Sequence, residues 1–437
     1  MKKSFIVALA AAVVLSGCAV TQADFTPSEV VTYAPKWHEN YKDERLNSLV
    51  QTALANNADV KTAVLNLQNA LLNAGVKKDD FLPTLSGEVG GSLNDDLSRS
   101  QSQKSFSSSL SLSYEIDIFA KVYDGYKASF WEAKSSEANL ANLKLTITNS
   151  VVSTYFSLAY LNDIAKNLAA NLENQKELLK ITQAKIRYGR GEVLALNQAQ
   201  ENILNLQNQM LENSRSRANL METLKNLVAS PLDEKSLANA SLTDITIQSA
   251  NLAKIKFENL TKRGDVAVAM ASLNAAFYNH KATQKSLYPS ITLAASFSDN
   301  DAKLNEAFGF NLFNGNLRIN LPFLNYNKVQ KNVKVAKNEF EKRKVNYENT
   351  LSQAANEVVK FTQLWEIDQQ KFANLKKLAS KEEEIVSIYK NKYNYGKSEF
   401  KDLISAQNSL LATQNSLLEA KQRLLEDEVG FFKAIGE

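Results

Sequence analysis

Soft metal ligands are nearly absent from this chain. One cysteine, Cys18, and two histidines, His38 and His280, stand in 437 residues. That excludes a disulfide framework and a Cys/His metal site. An excess of charge of either sign is also lacking, with 51 basic residues against 47 acidic ones, so no basic balance argues for nucleic acid. Glycine and proline are missing from two long stretches, 126–188 and 323–395. The apolar run 5–14 is too short to cross a bilayer as a helix, which takes about 20 residues.

What fills the two stretches without Gly or Pro is mostly Ala, Leu, Lys, Glu, Gln and Asn, acceptable helix formers. Each stretch stops at a glycine, in Tyr188-Gly189-Arg190-Gly191-Glu192 and in Tyr395-Gly396-Lys397-Ser398-Glu399. Glycine takes the left-handed conformation that closes a helix. Apolar periodicity then resumes within a few residues, so the chain turns back antiparallel. A single shift of 207 positions superposes the segment 181–212 on its second copy, with 13 of 32 residues identical. The chain is therefore read as a duplicated unit. Helices of 60–70 residues would be roughly 90–100 Å long, far beyond the usual globular helix.

The N-terminus is read as an export signal over 1–17. Lys2 and Lys3 form the positive region, and Leu15-Ser16-Gly17-Cys18 is similar to the lipobox of bacterial lipoproteins. On that likeness Cys18 carries a covalent lipid and begins the mature chain. An extended leader is expected over 18–45, followed by a helix over 46–80 that Pro83 ends.

After Pro83 the apolar period changes to two. Phe106, Leu110, Leu112, Tyr114, Ile116 and Ile118 alternate with Ser107, Ser109, Ser111, Ser113, Glu115 and Asp117, the pattern of a strand with one apolar and one polar face. A weaker, Gly-rich partner precedes it. The scheme returns after Pro289, where Ile291, Leu293, Ala295 and Phe297 alternate with small or polar residues and a strand over 308–321 comes back, with a bulge expected at Asn314-Gly315. Hairpins are thus placed at 84–118 and 290–321. Strands of about ten residues have the length of membrane-spanning strands, but membrane barrels need about eight of them. An open sheet edge is not tolerated in lipid, so several copies must pool their strands. Helices are placed at 119–229 and at 263–288 with 323–434, and a mixed segment over 230–262 is read as a collar.

Several short signatures carry a family likeness. They are Asp43-x-x-Leu46…Ala53-Leu54-x-Asn56-Asn57, Tyr114-Glu115-Ile116-Asp117-Ile118-Phe119, Arg263-Gly264-Asp265-Val266-Ala267 with Leu273, and Tyr288-Pro289-Ser290-Ile291. With the lipobox and the repeated Tyr-Gly turns, they resemble the TolC/OprM-like outer-membrane factors of tripartite efflux systems, in particular the lipoprotein branch serving RND-type pumps. Gly264 departs from the pattern, since the family usually has proline there. The resemblance implies a mainly α protein with a membrane β part: a homotrimeric α-barrel of long antiparallel helices joined to a 12-stranded β-barrel, four strands per chain. It implies an outer-membrane location in a Gram-negative bacterium, a periplasmic helical body, and a passive conduit for drugs or other small molecules, with antibiotic resistance as the phenotype. The partners implied are a periplasmic adaptor and an inner-membrane RND-type pump. Tyr188, Gly189, Gly191, Tyr395, Gly396 and Ser398 would form the adaptor-docking tips. Asp402, Ser405 and Asn408, one helical face past the second tip, would form a periplasmic gate, and Ala195 stands in the first copy where Asp402 stands in the second.

No enzymatic chemistry is indicated. Gly396-Lys397-Ser398 ends like a phosphate-binding loop, but position 391, where that loop needs its first glycine, is Asn. Arg263-Gly264-Asp265 is read as a chance tripeptide and His280 as a satisfied surface histidine. No cofactor, metal or nucleic acid is expected beyond the Cys18 lipid. A type I protein-secretion outlet shares the architecture, and a periplasmic lipoprotein coiled-coil scaffold would share the helices, with Leu161, Ile164, Leu168, Leu172, Leu179 and Ile186 at heptad-like spacings.

Overall fold

A computed structural model describes residues 36–96, 101–189, 191–248 and 257–436. The signal segment, most of the leader and Cys18 lie outside the described residues. In chain order the elements are α1 (Glu44–Asn56), α2 (Ala58–Asp79), β1 (Thr84–Asp96), β2 (Gln101–Ile116), α3 (Lys121–Arg187), α4 (Val193–Val228), α5 (Glu234–Ala238), α6 (Gly264–Lys285), β3 (Ser290–Asp301), β4 (Leu312–Asn320), α7 (Tyr326–Asn394) and α8 (Phe400–Ile435). Helices α3 and α7 have 67 and 69 residues. No helix among the described residues is long and apolar enough to cross a membrane.

The chain divides into two compact units. Among the described residues the first combines 66–137 and 268–347; the second combines 36–65, 138–267 and 348–436.

The first unit holds one antiparallel sheet of order β1-β2-β3-β4. Its register follows from the alternating pattern, because one residue of slip would turn every apolar side chain to the other face. Leu110 pairs with Phe297 and Phe297 with Phe313, while Tyr114 pairs with Leu293 and Leu293 with Leu317. These rows make one face apolar. Ser111, Ser296 and Asn314 form a row on the other. Two expectations are corrected here. The β3–β4 pairing runs without interruption from Ser290↔Asn320 to Ser298↔Leu312, with Gly315 opposite Ala295, so there is no bulge at Asn314-Gly315. The returning strand begins at Leu312 rather than at residue 308. Before it the chain folds over the hairpin end, where the Ser108 hydroxyl donates to the Ala307 carbonyl and Asn311 Nδ2 donates to Asp299 Oδ2 at 2.8 Å.

In the second unit the expected single helix over 46–80 is broken at Asn57. Its side-chain oxygen accepts from the amides of Asp59 and Val60 at 2.9 and 3.3 Å, and its Nδ2 donates to the Leu227 carbonyl at 3.1 Å. Asn57 thus ends α1 and caps α2. Asp43 caps α1 in the same way, accepting from the Arg45 and Leu46 amides. The leader is not extended throughout, since Trp37–Tyr41 forms a turn of 3₁₀ helix. Trp37 stacks on Phe432 at 5.0 Å, and Tyr41 meets Phe156 edge-on at 5.1 Å. These aromatic contacts bury the turn. The mixed segment 230–262 contains α5, a 3₁₀ turn over Leu242–Asp244 and another over Phe257–Lys262. Asn162 donates to the Leu237 and Ala240 carbonyls, both at 2.9 Å, and ties α5 to α3.

Candidate functional site

The two Tyr-Gly turns occupy equivalent conformations. Gly189 has φ +72° and Gly396 +69°, and a Cβ on either would meet open space. Glycine is therefore favoured by the backbone rather than by space, since an L-residue pays about 1–2 kcal/mol in that conformation. Gly191 is constrained differently, because a Cβ there would lie 2.7 Å from the Ile186 backbone nitrogen. Tyr188 and Tyr395 are 77% and 81% exposed. Tyrosines so exposed lie on the surface of the chain rather than in its core.

Beneath the turns the segments that flank them pack on one another. Leu178, Ala199, Tyr393, Phe400, Leu403 and Ile404 form a buried cluster with Leu179, Ile181, Ala195 and Tyr389 against it. Lys185 Nζ lies 3.3 Å from the centroid of the Tyr393 ring and donates to the Tyr393 carbonyl at 3.2 Å. Further along, Gln175 Nε2 donates to Gln407 Oε1 at 3.0 Å inside the protein. No pattern in the sequence pointed to these contacts. Lys185 was visible only as one of the repeated identities, and nothing in its spacing pointed to Tyr393.

Asp402, Ser405 and Asn408 are exposed on α8, while Leu403, Ile404, Ala406 and Gln407 are buried. The three polar residues thus share the side of α8 that faces away from this chain's own packing. The Asp402 carboxylate accepts from the Ser398 hydroxyl at 3.2 Å, which links the second tip to the first turn of α8.

A second polar cluster escaped the sequence reading. Tyr41 OH donates to Glu428 Oε2 at 3.0 Å, and Glu428 is fully buried. Burial pushes the Glu428 carboxyl up to about 8, opposed by the Tyr41 hydrogen bond. Burial, with the charge of nearby Asp368, pushes Asp427 up to about 7. His280 is half-buried and stacks on Phe340 at 6.5 Å. Its Nδ1 has no hydrogen-bond partner, which corrects the expectation of a satisfied surface histidine. No group of three His, Cys, Asp or Glu among the described residues could hold a metal ion.

The sheet is the third element of the site, and it is unfinished. Leu85, Leu112, Leu293, Phe297, Phe313, Leu317 and Ile319 are all exposed, and among the described residues β1 and β4 leave both edges unpaired. Long helices joined to such a sheet are the architecture of solved outer membrane channels. The chain superposes on the CmeC outer membrane channel of Campylobacter jejuni with a TM-score of 0.82 and 25% identity, over 93% of this chain and 89% of that one. It superposes on the open-state MtrE outer membrane channel of Neisseria gonorrhoeae with a TM-score of 0.81 and 24% identity, over 90% and 89%. Residues 49–230 and 258–437 match the outer membrane efflux protein family, and the chain belongs to that family. It is 31% identical to toxin and drug export protein A of Aggregatibacter actinomycetemcomitans over 85% of this chain and 82% of that protein. It is 25% identical to the cation efflux system protein CusC of Escherichia coli K12 over 92% and 88%.

Proposed function

We propose that the protein is the outer-membrane channel of a tripartite efflux pump, a homotrimeric conduit that carries drugs or other small molecules outward. The observation that carries this reading is the sheet. Its apolar rows face solvent and its two edges are open, a state that lipid forbids and that more copies of the same hairpins would complete. Three chains of four strands make a 12-stranded barrel, well within the range of closed membrane barrels. An exposed apolar stripe on α7, with Val359, Ile367, Ile385 and Ile388 between 43% and 61% exposed, fits helix contact between neighbouring protomers. A periplasmic scaffold would have no use for the exposed strand face. In this reading transport energy comes from an inner-membrane pump.

In this reading Cys18 is lipidated and holds each protomer at the outer membrane. Tyr188, Gly189, Gly191, Tyr395, Gly396 and Ser398 receive the periplasmic adaptor. Asp402, Ser405 and Asn408 line the closed gate. A protein-secretion outlet is a second reading, favoured by the relative named for toxin as well as drug export.

Reconstitution of the full chain into a planar bilayer tests the proposal. Discrete channels from a crosslinkable trimer are expected, and a deletion strain should accumulate drugs. A protein washed off membranes by salt as a monomer overturns the channel reading. A deletion strain that exports drugs normally but retains a protein toxin favours the secretion outlet. Cys18→Ser should abolish labelling by radioactive palmitate, and unchanged labelling would remove the anchor.

A further inference from the structure

We infer that the first unit carries a headgroup-binding face for anionic phospholipid, built on Lys127 of α3 and Lys281 of α6. The inference rests on the channel reading only in that the apolar sheet face meets lipid.

The two sides of this unit are chemically distinct. A cavity of about 680 Å³ is lined on the sheet by Thr84, Ser113, Glu115 and Thr292, all members of the polar rows. From α3 it is lined by Val122, Gly125, Ser129 and Glu132, and from α6 by Asn279, Ala282, Thr283 and Ser286. At about 100° per residue, Tyr123, Lys127 and Phe130 fall on the opposite side of α3, and Phe277 and Lys281 on the opposite side of α6. Both lysines therefore lie on the apolar side of the sheet, outside the polar lining.

Each lysine is held among aromatic rings. Lys127 Nζ is 5.5, 6.0 and 5.4 Å from the Tyr123, Tyr126 and Phe130 centroids. Lys281 Nζ is 4.8 Å from that of Phe277 and 5.8 Å from that of Tyr278. Neighbouring lysines pair with carboxylates, Lys121 with Glu115, Lys134 with Glu137 and Lys285 with Asp124. No such pair forms for Lys127 or Lys281 among the described residues. Rings orient these two ammonium groups without neutralising them.

Their depth suits a headgroup. Lys127 sits six residues into α3, which starts shortly after β2, and Lys281 sits four residues before α6 ends and β3 begins. At 1.5 Å per residue the lysines lie about 9 and 6 Å along their helices from the sheet-side ends, on the side of the polar zone that flanks the roughly 30 Å hydrocarbon core. Aromatic residues favour that zone. Helix α7, which leaves β4, adds exposed Lys328, Lys331, Lys334 and Lys337 before its first acidic residue, Glu339. The local charge is complementary to phosphate, and the rings beside it are suited to acyl-chain boundaries.

The test titrates the purified, detergent-solubilised full chain with phosphatidylglycerol and with phosphatidylcholine of the same chain length, read by native mass spectrometry. Phosphatidylglycerol should be preferred, and Lys127→Gln with Lys281→Gln should weaken it about 25-fold, about fivefold per lysine, with phosphatidylcholine unchanged. Lys127→Arg with Lys281→Arg should keep the preference and shows that the residues tolerate substitution. Equal binding of the two lipids by the parent overturns the inference, as does an unchanged Gln variant or a lost preference in the Arg variant. Displacement of the lipid by millimolar inorganic phosphate alone would mark a free-anion site and also overturn it. The two readings fail separately: a parent that prefers phosphatidylglycerol but opens no channel in a bilayer sinks the channel, not the lipid face.

Discussion

Lys185 lies over the ring of Tyr393, its ammonium 3.3 Å from the ring centroid and bonded to the carbonyl of the same residue. The end of α3 is thereby held to the end of α7. A desolvated cation–π contact contributes about 2 kcal/mol, and the hydrogen bond adds about 1 kcal/mol or more. Lys185→Met keeps the aliphatic stem but removes both. Amide exchange should then speed up over 178–187 and 389–404, with the sheet unaffected. Unchanged exchange at the turns would show that the apolar cluster beneath them suffices.

Burial of carboxyls in the second unit makes stability depend on pH. Glu428 is raised from an ordinary 4.5 to about 8 and Asp427 from 3.8 to about 7. Between those limits the folded state binds more protons than the unfolded state. Stability is therefore greatest below about 4.5 and falls as pH rises toward 8, by about 1.4 kcal/mol per pH unit for each group. Other carboxylates titrating below pH 5 act in the opposite sense, so the clean window is pH 5.5 to 7.5. Melting of the detergent-solubilised protein should shift downward across it, and Glu428→Gln, which can still accept from Tyr41, should flatten the slope. An unaltered slope in that variant would place the proton elsewhere.

Gly264 opens α6 against Asn142, where an added Cβ would come within 2.6 Å of the Asn142 Cβ and 2.8 Å of its Cα. The crowding is with backbone as well as side chain, so a neighbour cannot simply rotate away. Gly264→Ala should destabilise by about 1–3 kcal/mol, and Gly264→Pro, despite the family's preference, should do no better. A melting temperature equal to the parent's for either variant would contradict this packing.

Asp402 is proposed to narrow the resting channel. Asp402→Ala should raise single-channel conductance and weaken block by divalent cations added from the periplasmic side. Because one carboxylate per protomer is involved, a trimer would lose three. Conductance and block matching the parent would put Asp402 outside the constriction.

The alternating residues of β2 and β3 made the strands legible, since side-chain period alone assigns each to a face. Gly189 and Gly396 made the turns legible because few other residues tolerate positive φ. Asn57 was harder: its residue type suits a cap as well as an exposed helix position, and the contact with Leu227, 170 residues away, decides between them.

By itself the sequence determined the helical runs, the turns that end them, the two-faced strands and the likeness between the halves. These depend on local sterics and on periods of 3.6 and two, which neighbouring residues express without help. Tertiary structure alone decided that β2 pairs with β3, that Trp37 and Tyr41 bury the leader against Phe432 and Phe156, and that Lys185 finds Tyr393. It also set Lys127 and Lys281 among aromatic rings. Such relations join residues far apart in the chain, and their free energy comes from burial and geometry that no local pattern records.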